Sequence, residues 1–309
     1  MKKTNLFIVG AAKAGTTSVV SYLNQHPDIF MSPLKEPHYF SSDIKFCDYK
    51  KSCGFNKCLD VKAYLNEKVL VDEHISVVEE LDDYQALFRG VGTERVLGEA
   101  STGYLYSVEA AKEIYSYNEN ASIVIILRNP IERAYSHWKM NLSSGLEAEG
   151  SLFVESIKSD YLKTKKGYFV SNLYIELGLY SEQIKRFKEL FPETMYVLFY
   201  EDLVKGTEEF MGQLYSTLGI ESETLEYYPV ENASQISSFP KLKNLVQKIG
   251  LANVMPRSVK KFVVNKTSHR NFPRLLDSDR RYLYNEFFRD EIDSLELLLD
   301  CDLSDWKYK

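Results

Sequence analysis

Asn5-Leu6-Phe7-Ile8-Val9-Gly10-Ala11-Ala12-Lys13-Ala14-Gly15-Thr16-Thr17-Ser18 joins a short apolar run to a two-glycine loop and then to a polar helix opening. Leu6 to Val9 reads as a buried strand, and Val19, Val20 and Leu23 recur beyond the loop at helical spacing. Strand, glycine loop and helix start together make a cradle for an anion. The first amides of a helix lack intrahelical acceptors and point at whatever lies beyond the terminus.

The loop nearly matches the nucleoside-triphosphate pattern G-x-x-x-x-G-K-[ST], but Thr16 stands where lysine belongs and the lysine sits inside, at Lys13. A second apolar strand, Ser122-Ile-Val-Ile-Ile-Leu127, runs into Arg128-Asn129-Pro130 and not into a magnesium-binding aspartate. The loop therefore predicts a phosphate ligand but not Mg-ATP.

That second strand is continuous and rich in β-branched residues, as in a parallel sheet covered on both faces. Arg128 falls at its carboxyl end, where open α/β sheets bind ligands. Pro130 suits the first turn of a helix. Along that helix Arg133, Ser136 and His137 share a face by three- and four-residue spacing. Arg128 with Ser136 could grip a second phosphate, whereas Arg133 is expected in a structural salt bridge.

Between the two strands lies Lys35-Glu36-Pro37-His38-Tyr39-Phe40. Pro37 biases Glu36 towards an extended backbone, in which side chains two apart project to one side. Glu36 and His38 could then face a common cleft as general-base equipment. The alternative is a surface glutamate beside a half-buried histidine.

Further along, helices are expected near 77–88, 107–117 (with Ser107 as cap), 177–191 and 207–218, and strands at 95–99 and 194–200. The alternation predicts an α/β fold of P-loop type: a three-layer α/β/α arrangement with a central, mainly parallel sheet. Beyond residue 222 only helices are expected, at 242–249, 257–264 and 277–299. The basic stretch 260–270 reads either as a solvated loop or as a lid over an anionic cofactor. The whole, 1–309, is expected to be one domain, an α/β core to residue 220 and a mainly helical extension over 221–309.

With 38 basic and 44 acidic residues the net charge is −6, which excludes a general nucleic-acid binder. Met1-Lys2-Lys3 and the apolar run after it imitate a signal peptide, but cleavage there would remove the phosphate loop. No stretch has the length of a membrane span, and the expected location is cytoplasmic. Cys47, Cys53, Cys58 and Cys301 form no C-x-x-C pair. They read as reduced thiols, with a metal site from the first three as the alternative.

Phe7-Ile-Val-Gly-Ala-Ala-Lys-Ala-Gly-Thr-Thr17 resembles the 5′-phosphosulfate loop of sulfotransferases that use 3′-phosphoadenosine 5′-phosphosulfate (PAPS). Ile126-Leu-Arg-Asn-Pro-Ile-Glu-Arg-Ala-Tyr-Ser-His-Trp138 resembles their 3′-phosphate motif. Lys35-Glu-Pro-His-Tyr-Phe40, Gly98-Glu99 and Glu201-Asp202-Leu203 are similar to the bacterial and heparan-sulfate-type branch. The resemblance is strong to about residue 220.

It implies that Lys13 binds the phosphosulfate and stabilises the bridging oxygen. Ala14, Gly15, Thr16 and Thr17 would hold the 5′-phosphate, and Arg128 and Ser136 the 3′-phosphate. Glu36 matches the base that takes the acceptor's proton, and His38 a histidine beside it. PAPS would be the donor and 3′,5′-bisphosphate (PAP) the product, with no metal required. The acceptor would be a saccharide or another small hydroxyl- or amine-bearing molecule. One departure is Ala100, where those enzymes often carry a lysine. A P-loop kinase and a non-catalytic nucleotide-binding protein on the same fold are the competing readings.

Overall fold

The computed structural model describes residues 2–45, 48–49, 58–223, 236–237, 268–269 and 272–308. Five strands make the central sheet: β1 (Leu6–Gly10), β2 (Ile29–Met31), β5 (Val96–Ala100), β6 (Ser122–Leu127) and β7 (Met195–Phe199). Their order is β2-β5-β1-β6-β7, and every pairing is parallel. A parallel pair must be joined by a crossover, and helices take that part here, on both sides of the sheet. Strand β1 is buried at every residue, and β6 at all but its first, which accounts for their unbroken apolar sequence. Two short strands, β3 (Leu34–Lys35) and β4 (Glu73–His74), pair in parallel apart from the main sheet.

The phosphate-loop helix, the two central strands and the helix after Pro130 form where the sequence places them. The helix Thr16–Leu23 follows the loop. Pro130–Ser144 starts with Pro130 in its first turn, and Asn129 accepts hydrogen bonds from the amides of Ile131 and Glu132. Ser107 caps as expected, its hydroxyl accepting from Glu109 and Ala110 ahead of the helix Ala110–Tyr117.

Some elements differ from expectation. The segment 177–191 divides into a 3-10 turn, Glu176–Gly178, and the helix Tyr180–Leu190. Tyr200–Lys205 forms a further helix directly after β7. The expected helix at 277–299 is interrupted by a π-helical stretch, Tyr284–Phe288, between Asp277–Leu283 and Arg289–Leu299. This C-terminal part packs on the core: Glu291 accepts from the Ser181 amide at 2.7 Å, and Arg280 meets Glu132 at 2.8 Å.

The helices expected at 242–249 and 257–264, and most of the basic stretch 260–270, lie outside the described residues. Within that part only two short strands are described, Ile236–Ser237 pairing antiparallel with Ser268–His269, where helices alone were expected. Cys301 is a free thiol, as expected, but Cys58 is disulfide-bonded, which corrects the reading of all four cysteines as reduced. Cys47 and Cys53 lie outside the described residues. Among the described residues, no helix is long and apolar enough to cross a membrane.

Candidate active site

Because the sheet is parallel throughout, the carboxyl ends of its strands share one edge. The chain leaves β1 towards β2 and β5, and leaves β6 towards β7. The order therefore reverses between β1 and β6, the crevice where such sheets take ligands. Lys13 follows β1 and Arg128 follows β6. Arg128 Nη1 donates to the Lys13 carbonyl at 3.0 Å, and its guanidinium lies 4.3 Å from the centre of the Tyr200 ring.

Gly15 starts the helix in the left-handed region, φ 83°, and a Cβ there would lie 2.9 Å from Leu203 and 3.0 Å from Tyr200. Backbone angle and space both call for glycine. The Ala14 amide donates to the Ala11 carbonyl at 3.1 Å, closing the loop on itself. The amides of Gly15, Thr16 and Thr17 meet no backbone acceptor among the described residues.

The crevice concentrates positive charge. Lys13 Nζ has the Met140 thioether at 3.3 Å, a weak acceptor. Burial, then the charge of Arg128, push its ammonium down to about 8, against the pull of Glu36. Lys139 is lowered for the same two reasons, burial first. Cations crowded together beside open amides fit a ligand with more than one anionic group.

On the following helix, Arg133 is fully buried and its Nη2 donates to the Tyr174 carbonyl. Its Nε and Nη1 meet no partner in the described residues, so the salt bridge expected for it is not formed there. His137 packs its ring 5.1 Å from Tyr174, and burial with the charges of Arg133 and Lys13 drives its pKa well down, leaving it neutral. Ser136 is half-buried on the same helix.

Glu36 and His38 do come together, with His38 Nε2 3.5 Å from Glu36 Oε2. The route differs from the extended strand expected. Glu36 has φ 60° and His38 φ 50°, both left-handed, so tertiary hydrogen bonds override the bias imposed by Pro37. Both side chains are buried, which replaces the surface-glutamate alternative.

Lys35 Nζ meets Glu36 Oε1 at 2.8 Å, and His74 Nε2 lies 3.5 Å from the same oxygen. Burial alone would raise the Glu36 carboxyl, but Lys35, His38 and His74 outweigh it and hold it well below the usual range. The His38 ring is enclosed by Tyr168 at 5.3 Å, Phe169 at 5.4 Å and Tyr104 at 6.2 Å. Tyr168 Oη also reaches Thr102 at 3.2 Å.

Lys35, His74, Lys139, Tyr168 and Tyr200 escaped the sequence reading. Lys35 stood beside Glu36 in plain view, and Tyr200 ended a recognised strand. His74 and Tyr168 come from stretches whose sequence carries no motif. Among the described residues, no group of three or more His, Cys, Asp or Glu could hold a metal ion.

The model of the sulfotransferase family matches residues 5–224. The solved structure of a sulfotransferase from Alicyclobacillus acidocaldarius superposes over 99% of both chains with a TM-score of 0.68 and 26% identity. Human carbohydrate sulfotransferase 15 is 25% identical over 162 residues, 47% of this chain and 28% of that protein. Mouse heparan sulfate glucosamine 3-O-sulfotransferase 6 is 22% identical over 239 residues, 76% of this chain and 57% of that protein. The chain thus spans less than two thirds of the length of these curated relatives. The family match contains the loop after β1, the Glu36 segment and the Arg128 motif together, and the chain belongs to the sulfotransferase family.

Proposed function

We propose that this chain, as one domain, transfers a sulfuryl group from PAPS to a hydroxyl or amine of a saccharide or small hydroxylated metabolite. The observation that carries the proposal is the joining of Lys13 to Arg128 across the crevice, with the Glu36 carboxylate held ionised nearby. The donor, when bound, supplies an activated sulfuryl group on a phosphate leaving group. Lys13, the amides of Gly15 to Thr17 and the Thr16 and Thr17 hydroxyls would hold the 5′-phosphate. Arg128, flattened on Tyr200, and Ser136 would hold the 3′-phosphate.

Glu36 takes the acceptor's proton as the acceptor atom bonds to sulfur and the bond from sulfur to the phosphate oxygen breaks. Lys13 stabilises the negative charge that develops on that oxygen. A carboxylate of depressed pKa is a weak base, but a weak base serves here. In a loose transition state, like that of phosphoryl transfer, the acceptor becomes strongly acidic only as its bond to sulfur forms.

The names of the carbohydrate and heparan sulfate relatives support a saccharide acceptor. The disulfide at Cys58 bears against the cytoplasmic location expected from the sequence, because cytosolic thiols are kept reduced. A kinase is not favoured, given the family match and Arg128 in place of a magnesium-binding aspartate.

Calorimetry with PAP and ADP, each with and without magnesium, tests the donor. Tight, metal-independent PAP binding is expected, and preference for Mg-ADP would sink the proposal. Transfer of labelled sulfate from PAPS to a panel of polysaccharides and simple phenols then tests the acceptor class. Glu36→Gln should lower turnover about 10²–10⁴-fold with PAP affinity unchanged. Wild-type turnover in that variant would remove Glu36 as the base, with His38 next in line, and would reopen the non-catalytic reading only if the wild type is also inactive.

A further inference from the structure

The backbone that carries Glu36 and His38 is held from one side by a single buried carboxylate. Glu99, 1% exposed on β5, accepts from Ser101 Oγ and from Tyr104 Oη, each at 2.7 Å, one to each oxygen. Those hydroxyls in turn receive the chain that bears the proposed base. The His38 amide donates to Ser101 Oγ at 3.3 Å, and the Phe40 amide donates to Tyr104 Oη at 3.1 Å. A third tie needs no side chain, since the Glu36 amide donates to the Ala100 carbonyl at 2.9 Å.

The direction of these hydrogen bonds decides the role of Glu99. A backbone amide can only donate, so Ser101 and Tyr104 must accept from His38 and Phe40. Each hydroxyl has one proton, which must then go elsewhere. An ionised carboxylate is the one side chain that accepts both and donates to neither. Tyr84, whose hydroxyl donates to Thr4 Oγ1 at 3.1 Å, stands 3.5 Å from the same carboxylate and closes the pocket beneath it.

The held segment needs such a restraint. Two non-glycine residues in the left-handed region cost on the order of 1–3 kcal/mol each and persist only where their surroundings over-determine them.

We infer that Glu99 is a positioning residue: through Ser101 and Tyr104 it fixes the backbone of residues 36–40, and so aims Glu36 and His38 at the acceptor. The inference rests on the proposed role of Glu36. None of the three clamp residues contributes to the loop around Lys13 or to Arg128, so donor binding is separate from the effect.

The test uses the full chain with Ser101→Ala, Tyr104→Phe, Glu99→Gln and the double variant Glu99→Gln/Ser101→Ala. The readouts are sulfate release from labelled PAPS with water as acceptor, PAP calorimetry, and NMR of ¹³C-labelled histidine with His38→Gln as the assignment control. Each single variant should lose at least tenfold in turnover while PAP affinity stays within twofold. The double variant should fall no further than the weaker single, because both substitutions cut one linkage. The His38 ring resonances should shift while those of His26 stay in place.

Turnover within twofold of wild type, additive losses, PAP affinity falling in step with turnover, or an unmoved His38 would each overturn the clamp. Glu36→Gln measured alongside separates the two readings. If it turns over normally while the clamp variants fail, the base assignment falls and the clamp stands, acting on His38. If it fails while they do not, the clamp alone falls.

Discussion

Arg128 and Lys13, 115 residues apart in sequence, are joined by one hydrogen bond from guanidinium to main-chain carbonyl, at 3.0 Å. The contact places a cation from the end of β6 against the loop after β1, so the two anion-binding motifs share one crevice. Arg128 is oriented from its other side by the Tyr200 ring.

Tyr200→Ala should therefore weaken PAP binding by about 0.5–2 kcal/mol, the range of a cation–π contact. Arg128→Ala should weaken it further, because the charge and the loop contact go together. Calorimetry on both variants checks the order. Equal affinity for wild type and Tyr200→Ala would mean that the stack does not orient the guanidinium.

Donor binding should depend on pH through Lys13, whose ammonium burial and Arg128 push down to about 8. An anion beside it favours the charged form, so the complex holds the proton more tightly than the free protein. Below pH 8 the lysine is already charged and affinity is level. Above pH 8 affinity should fall, and binding should take up a proton. Calorimetry at pH 9 in buffers of different ionisation enthalpy measures that uptake, which Lys13→Met should abolish.

Gly103 faces the His38 ring so closely that an added Cβ would lie 2.6 Å from Cε1 and 2.9 Å from Nδ1. Gly103→Ala must displace the imidazole or the helix Gly103–Tyr106, at a cost of about 1–3 kcal/mol. Thermal melts should show the loss. Sulfuryl transfer should fall by a larger factor than PAP affinity, since the ring lies on the acceptor side.

Glu99 gives a stability signature of its own. Burial first, with the Glu36 charge adding, raises its carboxyl to about 7 against the hydrogen bonds from Tyr104, Ser101 and Tyr84. The native state then keeps a proton that the unfolded chain releases near the model value of 4.5. Folding stability from this group is full at low pH, declines as pH rises from about 4.5 to 7, and is lost above that, a change on the order of 3 kcal/mol. Glu99→Gln does not ionise, so its melting temperature should gain on the wild type between pH 5 and 8. A constant difference across that range would show that Glu99 titrates normally.

The sequence alone determined the elements whose information is local. Leu6 to Val9 and Ser122 to Leu127 are apolar and β-branched because both faces of those strands are covered. Gly15 marks a left-handed turn, and Asn129-Pro130 marks a helix start. Strand, loop and helix follow one another without help from distant residues, so the anion cradle and the three-layer fold were legible. The pairing of Lys35, His38 and His74 on Glu36 was not. It depends on β3 lying beside β4, and on residues 36–40 being drawn into a left-handed path by Ala100, Ser101 and Tyr104. Periodicity predicts an extended backbone there, and only long-range hydrogen bonds, stronger than that local bias, decide otherwise. The same holds for Arg133: its helix position was readable, but whether a carboxylate would meet it depended on how Tyr174 and its neighbours packed.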